Sequence, residues 1–155
     1  DILINNAGVQ DSGRDIDVNL RGTIYCTEKY GIQPNIKAII MTASVSAHNG
    51  AEFPEYCASK GGVLAYTKNV ALRVAKYGAT CNSISAGGVI TELNAHILEN
   101  KSLWDQVMAE TLIPKWATVE EMAEWTYFLA VVNKSMTAQD VLIDNGEIAK
   151  ANFVW

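Results

Sequence analysis

The sequence predicts an α/β fold, an open parallel sheet flanked by helices, and three observations predict it. Apolar strand patterns alternate with helical patterns along the chain. The crossovers between strands are long enough for parallel pairing. Ser44 closes the apolar run 38–41, at the carboxyl end of a strand, where open parallel sheets place their ligands.

The chain begins with an apolar strand pattern, Asp1-Ile2-Leu3-Ile4, which runs straight into Asn5-Asn6-Ala7-Gly8. Small residues and a glycine there let the backbone approach a ligand closely. The two asparagines can tie the turn to neighbouring strands, and a plain strand-to-loop turn explains the tetrapeptide equally well. A helix is expected over 15–30, with Ile16, Leu20 and Ile24 on its apolar row. Asn19 lies inside it. Asparagine is a poor interior helix residue, so its side chain or local backbone is expected to be needed for something. Gly31 ends the helix, and Pro34-Asn35 turns the chain into the 38–41 strand.

From Ser44 to Lys60 the chain reads SVSAHNGAEFPEYCASK. Tyr56 and Lys60, four residues apart at the start of a helical pattern, share one face. An ammonium beside a phenol favours the phenolate, so the tyrosine exchanges protons at a lower pH than a free phenol. With the Ser44 hydroxyl, this set can polarise a carbonyl, give it a proton and anchor a cofactor. Taken alone, Tyr-x-x-x-Lys more often means a half-buried tyrosine beside a snorkelling lysine.

The helix continues to about 77, with Val63, Thr67, Val70, Ala71 and Val74 at helical spacing and Gly78 as a left-handed cap. Gly61 and Gly62 each weaken it by ~1 kcal/mol relative to alanine, which close packing against a neighbour would offset. A strand follows over 81–85, with Ala86-Gly87-Gly88-Val89-Ile90-Thr91 as its exit loop. The stretch 92–115 is amphipathic in patches and interrupted by Pro114, which suggests a mobile helical lid over the site. Thr118-Val119-Glu120-Glu121 is a capping box. It opens a helix through 132 with Met122, Trp125, Leu129 and Val132 expected on its inner face. The last strand is 140–143, followed by a turn at Asp144-Asn145-Gly146 and the aromatic tail Phe153-Val154-Trp155.

The 155 residues are 49% hydrophobic and 19% charged, with a net charge of -5, which suits one domain spanning 1–155. No lysine- or arginine-rich stripe could neutralise phosphates, so a nucleic-acid partner is not expected. No apolar run approaches the ~18 residues of a membrane span, and no signal-peptide pattern is read. Cys26, Cys57 and Cys81 are odd in number and widely spaced, as reduced thiols of a cytoplasmic protein are. Cys57 reads as small packing rather than as a nucleophile. His48 and His96 have no partners at ligand spacing, so no metal site is expected. His48 could touch substrate, although an exposed loop histidine is the simpler reading.

Five motifs in order resemble the short-chain dehydrogenase/reductase family, from its fourth strand to its C-terminus. Asn5-Asn6-Ala7-Gly8 matches its NNAG, and Asp17-Val18-Asn19-Leu20-Arg21-Gly22 matches the helix that bears its catalytic asparagine. Ser44, Tyr56 and Lys60 match its serine and YxxxK. Gly87-x-Val89-x-Thr91 matches the loop that holds the nicotinamide amide, and 139–146, QDVLIDNG, its closing strand and DGG. Ala86 replaces the family's proline, Asn145 replaces a glycine, and the stretch from Gly8 to Asn19 is short. The family's opening strand-helix-strand, with its glycine-rich dinucleotide turn, is not in this sequence. The expectation is therefore an incomplete Rossmann-like sheet, a fragment of one catalytic domain whose whole would approach ~250 residues.

The resemblance implies an oxidoreductase that moves a hydride between NAD or NADP and a carbonyl/alcohol substrate of sugar, polyol or keto-acyl type. It implies Tyr56 as acid/base, Lys60 tuning it and binding the nicotinamide ribose, Ser44 on the substrate oxygen, and Asn19 holding a proton-relaying water. Asn5, Ala7, Gly8, Tyr56, Lys60, Gly87, Val89 and Thr91 are then expected at the cofactor. His48, Glu52 and Phe53 are expected along one side of the substrate pocket, and the 92–112 lid along the other. The alternative is a catalytically silent, truncated paralogue acting as a scaffold. Either way a homo-oligomer, dimer or tetramer, is expected through the helices 15–30 and 56–77 and the apolar tail.

Overall fold

Four parallel strands, β1 (Ile2–Asn5), β2 (Ala38–Thr42), β3 (Thr80–Ala86) and β4 (Asp140–Ile143), lie side by side in sequence order. This computed structural model describes residues 1–51 and 53–150. Ile4 pairs with Ile40, Ile40 with Asn82, and Ser83 with Asp140, so the carboxyl ends of the strands share one edge. Central strands covered on both faces need near-continuous apolar sequence, and Ala38, Ile39, Ile40 and Met41 of β2 are all buried.

Alternate side chains of the sheet face opposite layers. Ile39, Met41 and Cys81 pack against Val63, Val70, Ala71 and Val74 of the long helix α3 (Pro54–Val74), with Leu20 at the margin. Ile40 and Ile84 pack instead on Leu129 and Ala130. The result is helix, sheet and helix in three layers. Ile2 and Ile4 of β1 share the parity of Ile40 and are 45% and 48% exposed, beyond the reach of the helix on that side.

The first crossover helix is wound in an unexpected way. Wide π-helical turns, Ile16–Gly22 and Thr27–Gly31, flank a single α-helical turn, α1 (Thr23–Cys26). π turns insert an extra residue per turn and often mark functional sites. Gly31 ends this helix against Ile39 and Leu3, in a space that a Cβ would fill. Gly62 admits the Leu20 side chain of the same chain, while Gly61 has nothing within 4 Å. The close packing inferred for this glycine pair thus belongs, at Gly62, to a contact within the chain. Tyr66 and Arg73 of α3 add a polar clamp, both reaching the Glu28 carboxylate at 2.5–2.8 Å.

Between β2 and α3 lies one short helix, α2 (Ser46–Asn49), ending at Gly50 in a left-handed conformation. Gly78 is likewise left-handed, at φ 70°, after the 3-10 turn Ala75–Tyr77 that closes α3. The lid region folds as a 3-10 turn (Glu92–Asn94), α4 (Ala95–Leu98) and α5 (Lys101–Glu110). The capping box forms as read. Thr118 Oγ1 accepts from the Glu121 N–H at 3.2 Å, and Glu121 Oε2 accepts from the Thr118 N–H at 2.9 Å. It starts α6 (Val119–Tyr127), which runs on through a π turn, Phe128–Val132.

That π turn corrects one expectation. Leu129 is fully buried, but Trp125 and Val132 are 43% and 52% exposed, and Ala130 is buried instead. The extra residue in the turn rotates the helix face, so the 3.6-residue repeat points to the wrong side chain after 129; Trp125 precedes the turn, in α6, and meets Phe128 edge-to-face with centroids 6.4 Å apart. The Phe153-Val154-Trp155 tail lies outside the described residues.

Candidate active site

All four strands deliver a loop to the same edge of the sheet, and one cavity of about 930 Å³ opens there. Its walls include Asn6 after β1, Ser44 after β2, Gly87, Val89 and Thr91 after β3, and Glu147 after β4. Tyr56 and Lys60 enter from the first turns of α3, and Leu93, Asn94, Ile97, Val107 and Glu110 line it from the lid. The serine, tyrosine and lysine read from sequence therefore meet in one cavity.

Ser44 is 5% exposed and sits where β2 gives way to α2. Its neighbours are pinned to β3: the Ala43 N–H donates to the Ile84 carbonyl at 2.8 Å, and the Val45 N–H to the Ala86 carbonyl at 3.0 Å. Ser44 Oγ accepts from the Ser46 N–H and donates to Ser46 Oγ, both at 3.2 Å. Pro54 at the start of α3 has the fixed φ that suits a first turn, where no N–H is needed. Lys60 follows one and a half turns later and is 5% exposed.

Lys60 Nζ donates to the Thr42 carbonyl at 2.9 Å and stands 5.6 Å from the centroid of the Tyr56 ring. Burial pulls its pKa down to about 8, and the nearby Asp15 carboxylate opposes that fall. Asp15 is itself buried and accepts from the Ser12 N–H and hydroxyl at 2.9 and 3.0 Å. Its other oxygen, Oδ1, has no hydrogen-bond partner. A buried ammonium that retains its charge near a carboxylate favours a neighbouring phenolate.

Asn19 stands behind this group, one residue along from Leu20, the partner of Gly62. Its carboxamide accepts from the Val9 N–H and donates to the Val9 carbonyl, both at 2.8 Å, and donates to Ser59 Oγ at 3.1 Å. The suspicion that a mid-helix asparagine is needed for its side chain thus has a physical basis. It fastens the Asn5–Gly8 turn to the base of Lys60. Asn5 points back into the core, donating to Thr27 Oγ1 at 2.8 Å and Met41 Sδ at 3.3 Å. Asn6, not Asn5, faces the cavity, where its Oδ1 accepts from Thr42 Oγ1. Ala7 and Gly8 are exposed and are not among the residues that line the cavity.

The loop after β3 is held against the 116–118 segment. The Ile90 N–H donates to the Ala117 carbonyl at 2.9 Å, and the Ala117 N–H to the Gly88 carbonyl at 3.1 Å. Asn94 Nδ2 donates to the Val89 carbonyl at 2.8 Å. Trp116 fills the space over Gly88 and meets Trp104 of the lid edge-to-face, with ring centroids 5.3 Å apart.

Two expected wall residues lie elsewhere. His48 turns away to Asp140 Oδ2 at 2.8 Å and Ser85 Oγ at 3.2 Å, and Phe53 does not line the cavity. Glu52 falls outside the described residues. Cys57 donates to the Ala51 carbonyl, and burial pushes the Cys81 thiol up to about 12, which disfavours a thiolate at Cys81. Among the described residues no three histidine, cysteine or acidic side chains cluster as a metal site would, and no helix is long and apolar enough to cross a membrane. Wall residues not anticipated include Gln10, Trp116, Met122, Thr126 and Glu147. For Glu147 a signal existed in its place directly after the closing turn.

Residues 1–147 match the family described as enoyl-(acyl carrier protein) reductase. An uncharacterized oxidoreductase of Bacillus subtilis, YxbG, is 35% identical, over 96% of this chain and 63% of its own. A 3-oxoacyl-[acyl-carrier-protein] reductase, FabG, of Staphylococcus epidermidis is 27% identical, over 94% of this chain and 66% of its own. The crystal structure of a gluconate 5-dehydrogenase from Burkholderia cenocepacia, in complex with NADP and tartrate, superposes with a TM-score of 0.86 at 27% identity. It covers 97% of this chain and 66% of that one. The chain thus spans somewhat under two thirds of the length of the first of these relatives.

Proposed function

The chain belongs to the short-chain dehydrogenase/reductase family, and from that premise we propose that its protein is an NAD(P)-dependent oxidoreductase. The reaction is hydride transfer between a nicotinamide and a carbonyl/alcohol pair, on a substrate of sugar, polyol or keto-acyl type. The observation that carries this reading is the meeting of Ser44, Tyr56 and Lys60 in one cavity at the carboxyl ends of the strands. The relatives add support, since their names describe oxidoreductases and one is in complex with NADP.

The residues present fit a nicotinamide and its ribose. Gly8 carries no side chain at a place where a Cβ would stand 3.5 Å from Lys60 Nζ, so the ammonium stays open to approach from that side. Lys60 would hold the ribose, the Val89 backbone and Thr91 the amide, with Gly87 beside them. Asn5, Ala7 and Gly8 supply the turn beneath. When bound, the nicotinamide supplies or accepts the hydride.

Tyr56 gives its phenolic proton to the carbonyl oxygen in reduction and takes it back in oxidation. Lys60 stabilises the phenolate left behind. Ser44 Oγ turns its proton from Ser46 to the same substrate oxygen, positioning it and offsetting the developing charge. Asn19 is assigned the proton-relaying water through its backbone carbonyl, because its carboxamide is committed to Val9 and Ser59.

Residues 1–155 are read as part of one catalytic domain. A homo-oligomer, dimer or tetramer, is proposed from the outer face of α3, where Leu72 is 80% exposed and Gly61 has nothing within 4 Å. A cytoplasmic setting is proposed from the free thiols Cys26, Cys57 and Cys81. The deciding experiment is oxidation of NADH or NADPH by a panel of ketones and aldoses, with quenching of tryptophan fluorescence as the binding readout. Quenching with turnover is expected. Neither quenching nor turnover with either cofactor would overturn the reading.

A further inference from the structure

Two buried charges stand at the Asn19 junction, the Lys60 ammonium and the Asp15 carboxylate, and the hydride chemistry uses only the first. Lys60 is 5% exposed and Asp15 1%. An ammonium carries three donors. One of them goes to the Thr42 carbonyl at 2.9 Å, which leaves the others for a ribose.

The loop after β1 brings the carboxylate there. Gly8 lies against both Lys60 and Asn19: a Cβ on it would stand 3.5 Å from Lys60 Nζ and 3.3 Å from Asn19 Oδ1. Asp11 and Gly13, left-handed at φ 49° and 68°, then curl the chain back before the helix begins. Asp15 is the residue on which that helix starts, one turn before Asn19 and on the same face. Asn19 itself is fastened to Val9 and to Ser59, the residue before Lys60. The carboxylate and the ammonium therefore flank one carboxamide, the first from its own helix and the second from α3.

The turn explains only half of this carboxylate. Ser12 donates its N–H and its hydroxyl to Asp15 Oδ2 at 2.9 and 3.0 Å, which closes the turn ahead of the helix. An asparagine would supply that acceptor equally well. The other oxygen, Oδ1, is buried with no hydrogen-bond partner. A buried charge left so is unfavourable unless an opposite charge compensates it. Burial pushes the Asp15 pKa up, but the Ser12 hydrogen bonds and the nearby N–H groups of Asp11 and Asp15 bring it below the ordinary 3.8. The group is accordingly ionised at neutral pH.

We propose that Asp15 is the counter-charge of Lys60, a positioning residue that acts on the Tyr56 proton transfer through the lysine. The catalytic half of this rests on the oxidoreductase reading, whereas the pairing of the two charges is a property of the fold. Other charged groups surround the lysine. Glu110 of the lid is exposed and Glu147 after β4 is half-buried. Asp11, Arg14 and Asp17, on the same segment as Asp15, are exposed, where water and salt screen them. Tyr56 is neutral until it gives up its proton. Of these groups only Asp15 is buried, and its charge opposes the loss of the Lys60 proton that burial promotes.

The test separates charge from turn. Asp15→Asn keeps an acceptor for Ser12 and removes the charge, whereas Ser12→Ala loosens the same turn and keeps the charge. Urea denaturation is followed from neutral to alkaline pH. Wild-type stability should rise with pH from about 8 towards 10.5, the window of Lys60. Asp15→Asn should start that rise at least about half a pH unit lower, and Ser12→Ala should leave it in place. In a double-mutant cycle, Asp15→Asn should destabilise the wild type more than it destabilises Lys60→Met. Folding of the double variant where Asp15→Asn alone unfolds would be the extreme form of that result. The alkaline decline of kcat/KM for carbonyl reduction, read with ethyl acetoacetate and NADH or NADPH, should move down by the same interval in Asp15→Asn only. A rise that starts at the wild-type pH, or an equal loss in both backgrounds, would overturn the pairing. A shifted stability curve with an unmoved rate profile would overturn the catalytic role. Absence of reduction by the wild type, with ethyl acetoacetate and with every ketone and aldose of the panel, would sink the oxidoreductase reading and the catalytic role with it. The stability cycle would still decide the pairing.

Discussion

His48 and Asp140, 92 residues apart in the chain, meet at 2.8 Å between Nε2 and Oδ2. Ser83 Oγ holds the other oxygen of Asp140 at 2.6 Å. The contact ties α2, the short helix whose first turn positions Ser44, to the start of β4. We expect His48→Ala and Asp140→Ala each to lower kcat/KM by about tenfold. The double variant should be no worse than either, a coupling of roughly 1 kcal/mol. Additive losses, measured in a double-mutant cycle, would show that the pair does not act as a unit.

Tyr56→Phe removes the hydroxyl of the proposed proton donor and keeps the ring. Cofactor binding should be nearly unchanged, and turnover should fall by ~10² or more. Near-normal turnover would rule out Tyr56 as the acid/base. Lys60→Ala should instead weaken both cofactor binding and rate.

Burial of Lys60 has a cost that shows in stability. Its folded pKa of about 8 lies below the ordinary value of 10.5. Between those two values the folded chain binds fewer protons than the unfolded one, so stability rises with pH across that window. Below about pH 8 the penalty for burying the charge is present in full. Lys60→Met should therefore stabilise the fold at neutral pH by about 1–2 kcal/mol, allowing for the unmet Thr42 carbonyl. It should also abolish the rise between pH 8 and 10.5, as read by urea denaturation. An unchanged slope would mean that Lys60 is not the group titrating there.

The same lysine sets an upper limit for the reductive reaction. Carbonyl reduction needs Tyr56 protonated beside a charged Lys60, so its rate should be flat at neutral pH and decline above about pH 8. A pH profile of kcat/KM for reduction checks this, and a profile flat to pH 10 would contradict it.

Gly88 lies under the Trp116 indole, and a Cβ there would overlap it. Gly88→Ala should push Trp116 off its edge contact with Trp104 and cost about 1–3 kcal/mol. Near-ultraviolet circular dichroism, which reports the paired indoles, should lose intensity. An unaltered spectrum and melting temperature would show that the loop simply shifts aside.

The sequence alone determined the alternating strands and helices, because strand and helix periods are local properties of the chain. The capping box at Thr118 and Glu121, the left-handed Gly78 and the face shared by Tyr56 and Lys60 are equally local, each set by neighbours within a few residues. Tertiary packing decided what local periods do not encode. Two wide turns in the 16–31 helix and another at Phe128–Val132 shifted register, burying Ala130 and exposing Val132 where a 3.6-residue repeat pointed the other way. Of the adjacent pair Asn5 and Asn6, only packing could choose which faces the core and which the cavity. His48 reached Asp140, and Glu147 came to rest over Gly87, because β3 and β4 pair in parallel and set β4 and the turn after it beside the segments that follow β2 and β3. Such meetings depend on strand order and register, which no stretch of sequence contains by itself.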